Sequence, residues 1–190
     1  MRLHPNTISY VALVAGVAGG LCYWAAGHTP WFYLGGAALI TISGLLDCFD
    51  GIVARETGTA SSFGDFLDHV LDRIVNMAIF FGLALSPNAS TALGLAAAIL
   101  VLMNSYLGTQ IHASFGSRDY TGLGKAQLFI ALVAASVVLF FFPDAALDIA
   151  RGQLSLVDGL FILIAIATLQ AMVHRIRLAR RLATRADRDD

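Results

Sequence analysis

Six apolar runs, each about as long as a lipid hydrocarbon core is thick, govern what this chain can become. They fall near residues 8–26, 31–53, 66–85, 91–111, 126–142 and 156–176. A helix needs about 20 apolar residues to cross a bilayer core, and in lipid the backbone must satisfy its own N–H and C=O groups. Water is excluded as the sole solvent, because 57% of the residues are hydrophobic and only 13% charged, against roughly a quarter charged in soluble domains. The breaks are short and carry turn chemistry: Gly27-His28-Thr29-Pro30, Ser86-Pro87-Asn88, Gly116-Ser117-Arg118-Asp119 and Pro143-Asp144. The sequence therefore predicts an all-α integral membrane bundle of six transmembrane helices over residues 1–176, followed by a charged tail, 177–190, that frays into solvent.

Charge narrows the function and orients the bundle. A formal net charge of -1 leaves no basic excess to neutralise nucleic-acid phosphates, so a nucleic-acid partner is excluded. Eleven of the 12 Lys and Arg residues, Arg151 excepted, fall on one side if both termini share it. The positive-inside rule makes that side cytoplasmic, in a cell membrane. The first apolar run lacks a small-residue cleavage site and reads as a retained helix. Cys22 and Cys48 lie in apolar runs, without disulfide or zinc spacing, and read as small buried hydrophobes.

Chemistry concentrates between Asp47 and Asp72. Asp47 and Asp50 stand three apart at the end of the second run; Asp68 and Asp72 stand four apart at the start of the third. Each pair shares a helix face. A short intervening loop makes the two helices antiparallel neighbours, so the pairs can meet across one seam. Four carboxylates at a membrane edge repel one another, and a bound cation resolves the conflict. Oxygen ligands alone favour a hard ion, and four acids suit two ions of Mg²⁺ or Mn²⁺, a recurring arrangement for phosphoryl chemistry. Gly51, Ala54, Gly58 and Gly64 surround the acids and leave room for a ligand.

Asp47-x-x-Asp50-Gly51-x-x-Ala54-Arg55, then Gly64-x-x-x-Asp68-x-x-x-Asp72, resembles the full signature of the CDP-alcohol phosphotransferase family. Pro5-Asn6 resembles an element that often opens these enzymes. The resemblance implies that Asp47, Asp50, Asp68 and Asp72 ligate two divalent ions, and that Asp72 accepts the proton of the attacking hydroxyl. It implies that Gly51, Ala54, Arg55 and Gly64 line the site for the cytidine diphosphate of a CDP-linked donor. It also implies CMP release, a small polar alcohol as acceptor and a homodimer. From position alone, Asp72 suits the base because it lies one turn deeper than Asp68, although Asp68 could exchange roles with it.

Other polar residues have plainer readings. Asp65 reads as an acid complementing a helix N-terminus. His69 points about 100° from Asp68, while His112 and His174 are ordinary residues of helix ends. Asp144, Asp148 and Asp158 fall on the outer side, and Glu56 has no assigned role. On the acid-bearing side, Arg118 and Lys125 flank a glycine-rich loop and Arg175 ends the last run. Three cations suit an acceptor that already carries a phosphate, such as inositol phosphate or glycerol phosphate. A CDP-lipid is the expected donor, with a soluble CDP-alcohol such as CDP-inositol as the alternative. A cation or proton transporter would also use intramembrane acids, but these cluster at one face with no polar relay beyond.

Overall fold

Apolar runs punctuated by glycine and proline fold into six helices in the computed structural model, which describes residues 5–59, 61–117, 124–149 and 152–189. They are α1 (Pro5–Ala25), α2 (Trp31–Glu56), α3 (Ser62–Ala84), α4 (Thr91–Phe115), α5 (Lys125–Phe141) and α6 (Leu156–Asp189). Four of them, α1, α2, α4 and α6, are long and apolar enough to cross a membrane. The other two fall short for separate reasons. α3 carries Asp65, Asp68, Asp72 and Arg73 in its first half, and α5 has 17 residues, about 25 Å of helix at 1.5 Å per residue.

The expected all-α chain is interrupted by one antiparallel hairpin, β1 (Ala146–Ile149) with β2 (Gly152–Ser155), pairing Ala146 with Ser155 and Leu147 with Leu154. A second difference lies at the other end. α6 runs through the expected boundary at 176/177 and remains helical to Asp189. The chain has no Gly or Pro beyond Gly159, so nothing in the backbone stops the helix, and its Arg, Leu and Ala residues propagate one well.

α1 packs on both α2 and α3, α5 packs on α2, and α4 packs on both α3 and α6. Small residues make the α1–α3 contact possible. A Cβ on Gly82 would lie 2.0 Å from the Gly20 carbonyl oxygen, and one on Gly20 would lie 2.4 Å from the Ala78 carbonyl. The two backbones therefore touch, as small residues permit between helices in lipid. Tyr23, Ile40, Ile79, Phe80 and Phe161 are fully buried at the centre, where the Tyr23 hydroxyl lies 2.8 Å from Ser136 Oγ and links α1 to α5. Val14, Trp24, Ile130 and Leu163 face outward, more than half exposed. So apolar an exterior needs lipid around it.

The end of the bundle opposite Asp47 is stitched by polar contacts. Asp158, in the first turn of α6, accepts from the backbone N–H of Ser90 at 2.6 Å and of Ser155 at 3.3 Å. Asn88 Nδ2 donates to Asp144 and to the Pro143 carbonyl. The α3–α4 turn is thereby fastened to the segment joining α5 and α6. These acids lie away from the seam.

Candidate active site

The turn between α2 and α3 sets the site. α2 ends where Gly58 takes φ 66°, a left-handed conformation that glycine adopts without strain, and the Thr59 N–H closes back on the Ala54 carbonyl at 3.0 Å. α3 begins at Ser61, whose hydroxyl accepts from the Gly64 N–H at 3.1 Å, an N-cap that satisfies a donor otherwise left open. Stop and start lie close together, so the last turns of α2 face the first turns of α3.

Across that seam Asp47, Asp50 and Asp68 each bring a carboxylate oxygen within 4.8 Å of the others. Asp50 is the most enclosed of the three, at 7% exposure, and its Oδ2 accepts a hydrogen bond from Ser9 of α1. Asp72 lies on the same side but is held through a cation: Lys125, the first residue of α5, pairs with Asp72 Oδ1 and, at 2.6 Å, with Asp47 Oδ2. Three oxygen donors this close, with no nitrogen or sulfur ligand among them, fit a hard divalent ion. Asp72 stands beside that trio.

A cavity of about 500 Å³ opens along α2 and α3, lined by Asp47, Asp50, Asp68 and the side of Asp65 and His69. Gly51, Ala54, Arg55 and Gly64, the residues expected at the cytidine diphosphate, all line it as well. The Arg55 guanidinium lies over Gly51, where a Cβ would meet it in ordinary contact at 3.4 Å. His69 turns to Asp65, 3.9 Å away along α3, and Asp65 occupies the first turn, where an acid complements the helix dipole.

Three cations are expected at the acceptor. Arg118 lies outside the described residues. Lys125 borders the acids. Arg175 is buried between α6 and α4, where it donates to the Asn104 backbone carbonyl and, at 3.1 Å, to the Asn104 side-chain oxygen. A further arginine, Arg73, reaches from α3 to Thr109 of α4 at 3.3 Å. Asn76, four residues after Asp72 on the same α3 face, has a buried Oδ1 with no hydrogen-bond partner among the described residues. The sequence does not single out Ser9 or Asn76, and Arg73 enters it only among the basic residues that orient the bundle. Only Asn76 carries a local signal, the continuation of the Asp68, Asp72 stripe by one helical turn.

Six helices and an aspartate seam beside an open cavity mark a membrane protein with a candidate site for a divalent ion. The CDP-alcohol phosphatidyltransferase pattern matches residues 2–171, and the chain belongs to that family. It is a transferase of substituted phosphate groups and an integral membrane protein. Among its relatives, the archaetidylinositol phosphate synthase of Methanothermobacter thermautotrophicus is 33% identical over 144 residues, 72% of this chain and 73% of that one. The phosphatidylinositol phosphate synthase of Mycolicibacterium smegmatis is 30% identical over 185 residues, 92% of this chain and 78% of that one. Two crystal structures of the Mycobacterium tuberculosis phosphatidylinositol phosphate synthase superpose on the fold at 25% identity. One has CDP-DAG bound (TM-score 0.74, covering 93% of this chain and 86% of that one). The other is a complex with manganese and citrate (TM-score 0.75, 93% and 82%).

Proposed function

We propose that this protein transfers a substituted phosphate group from a CDP-linked lipid to a small phosphorylated alcohol, inositol phosphate foremost, and releases CMP. One observation carries the reading: Asp47, Asp50 and Asp68 converge within 4.8 Å on the wall of the cavity that Gly51, Ala54, Arg55 and Gly64 also line. Relatives that make inositol phosphate lipids, and a solved structure bearing CDP-DAG, support the choice of donor and acceptor.

In this reading Asp47, Asp50, Asp68 and Asp72 hold two divalent ions, Mg²⁺ or Mn²⁺. Such ions, when bound, offset the charge of a diphosphate and polarise its phosphorus. The chain's own groups do the rest. Gly51, Ala54, Arg55 and Gly64 seat the cytidine diphosphate. The acceptor oxygen bonds to the lipid-bearing phosphorus as the bond from that phosphorus to the CMP oxygen breaks, and the hydroxyl proton passes to Asp72, with Asp68 the alternative base. Lys125, Arg175 and Arg118 supply positive charge to the acceptor phosphate. All six helices cross the bilayer, with both termini and the acids on the cytoplasmic side, and the molecule works as a homodimer.

The test is a matrix assay of purified protein in lipid nanodiscs. CDP-diacylglycerol or CDP-archaeol is offered with inositol phosphate, glycerol phosphate, inositol or serine, and products are weighed by mass spectrometry. The expected result is CMP with a phosphorylated-acceptor lipid, lost on chelation and restored by Mg²⁺ or Mn²⁺. Product from unphosphorylated acceptors alone would overturn the acceptor, and full turnover in metal-free buffer would overturn the metal assignment.

A further inference from the structure

α1 contributes a side chain to the acids of α2 and α3. Its backbone at Gly16 is pressed against their side chains, so close that a Cβ there would lie 2.6 Å from Val75 of α3 and 2.9 Å from Ser43 Oγ of α2. The Ser43 hydroxyl donates to the Ala12 carbonyl at 2.7 Å, which fixes the register of α1 on α2. One turn earlier on α1, on the same face, stands Ser9. Its hydroxyl donates to Asp50 Oδ2, across 41 positions of sequence, and Ser9 lines both the large cavity and the small one beneath Asp47, Asp68 and Asp72.

A carboxylate on a helix turns freely about its last bond until something holds one oxygen. Asp50 is the most enclosed acid of the trio and has the greatest need of a donor. A hydrogen bond to one oxygen sets the plane of the group and so the direction of the other; partners of this kind around metal-binding carboxylates tune affinity by about 10–100-fold. We infer that Ser9 is a positioning residue that orients the Asp50 carboxylate for metal binding, so that α1 completes a site whose acids lie on α2 and α3. The inference rests on the metal reading of the aspartates.

The experiment measures Mn²⁺ affinity of the purified full chain by electron paramagnetic resonance of free Mn²⁺, with no substrate present. Ser9→Ala should weaken binding about ten- to hundredfold, and Ser9→Thr, which keeps the hydroxyl, should restore it. Thermal unfolding of each variant separates loss of affinity from loss of fold. If Ser9→Ala does not fold, the nearly isosteric pair Ser9→Thr and Ser9→Val decides the same point, with the valine variant expected to bind more weakly. Equal affinity with and without the hydroxyl overturns the inference. Wild-type protein that binds no Mn²⁺ overturns the metal reading instead, and the two failures are distinct.

Discussion

Lys125 changes the charge balance of the seam. Four aspartates and the ammonium that pairs with Asp47 and Asp72 leave three formal negative charges. One divalent ion would leave the site anionic and hostile to a diphosphate, whereas two would make it cationic. On the proposed reading, that count suits two ions. Asp47→Asn should then lower Mn²⁺ affinity by at least about tenfold together with turnover. Asp72→Asn should cut kcat by roughly 10²- to 10⁴-fold with donor binding retained in a direct binding assay. Joint loss of donor and metal in Asp72→Asn would make it a ligand before a base. The four aspartates were legible because their spacing is local and helical. Ser9 was not, and Lys125 was legible only as a cation on the acid-bearing side, not as the partner of Asp47 and Asp72. A serine in an apolar helix reads like any packing residue, and the 53 positions separating Lys125 from Asp72 carry no periodic signal.

At the scale of elements, five of the six helices begin and end near where turn residues said they would, because glycine, proline and a serine cap act on their immediate neighbours. The hairpin was missed: four residues per strand, Ala146–Ile149 and Gly152–Ser155, are too few to establish an alternation. The full length of α6 is hidden by the charge of its end, which suggests frayed solvent-facing chain although helix propensity there is high. The tight approach of α1 and α3 was equally invisible, since glycine gives no sign of what it touches. Gly82→Ala drives a methyl into the Gly20 backbone, which cannot move as a side chain can. It should lower stability by about 1–3 kcal/mol or more, read as a drop in Tm in detergent. An unchanged Tm would mean that α1 and α3 separate at little cost.

Across the whole molecule, the two ends are built differently. One end carries the acids and the cavity. The other is fastened through Asp158, which holds backbone donors of both Ser90 and Ser155. Asp158→Ala strips two N–H groups of their acceptor and should cost about 1–3 kcal/mol for each that stays dry, measured as a loss of thermal stability while Mn²⁺ affinity at the distant acids is unchanged. A matching fall in affinity would show that the two ends are coupled. The ties at the two ends differ in kind: backbone donors hold Asp158 at one, while at the other Lys125 bridges Asp47 and Asp72 and Ser9 holds Asp50. An incoming cation competes with the ammonium of Lys125 and leaves the backbone bonds of Asp158 untouched, so on the proposed reading any rearrangement that admits a donor is concentrated beside the aspartates.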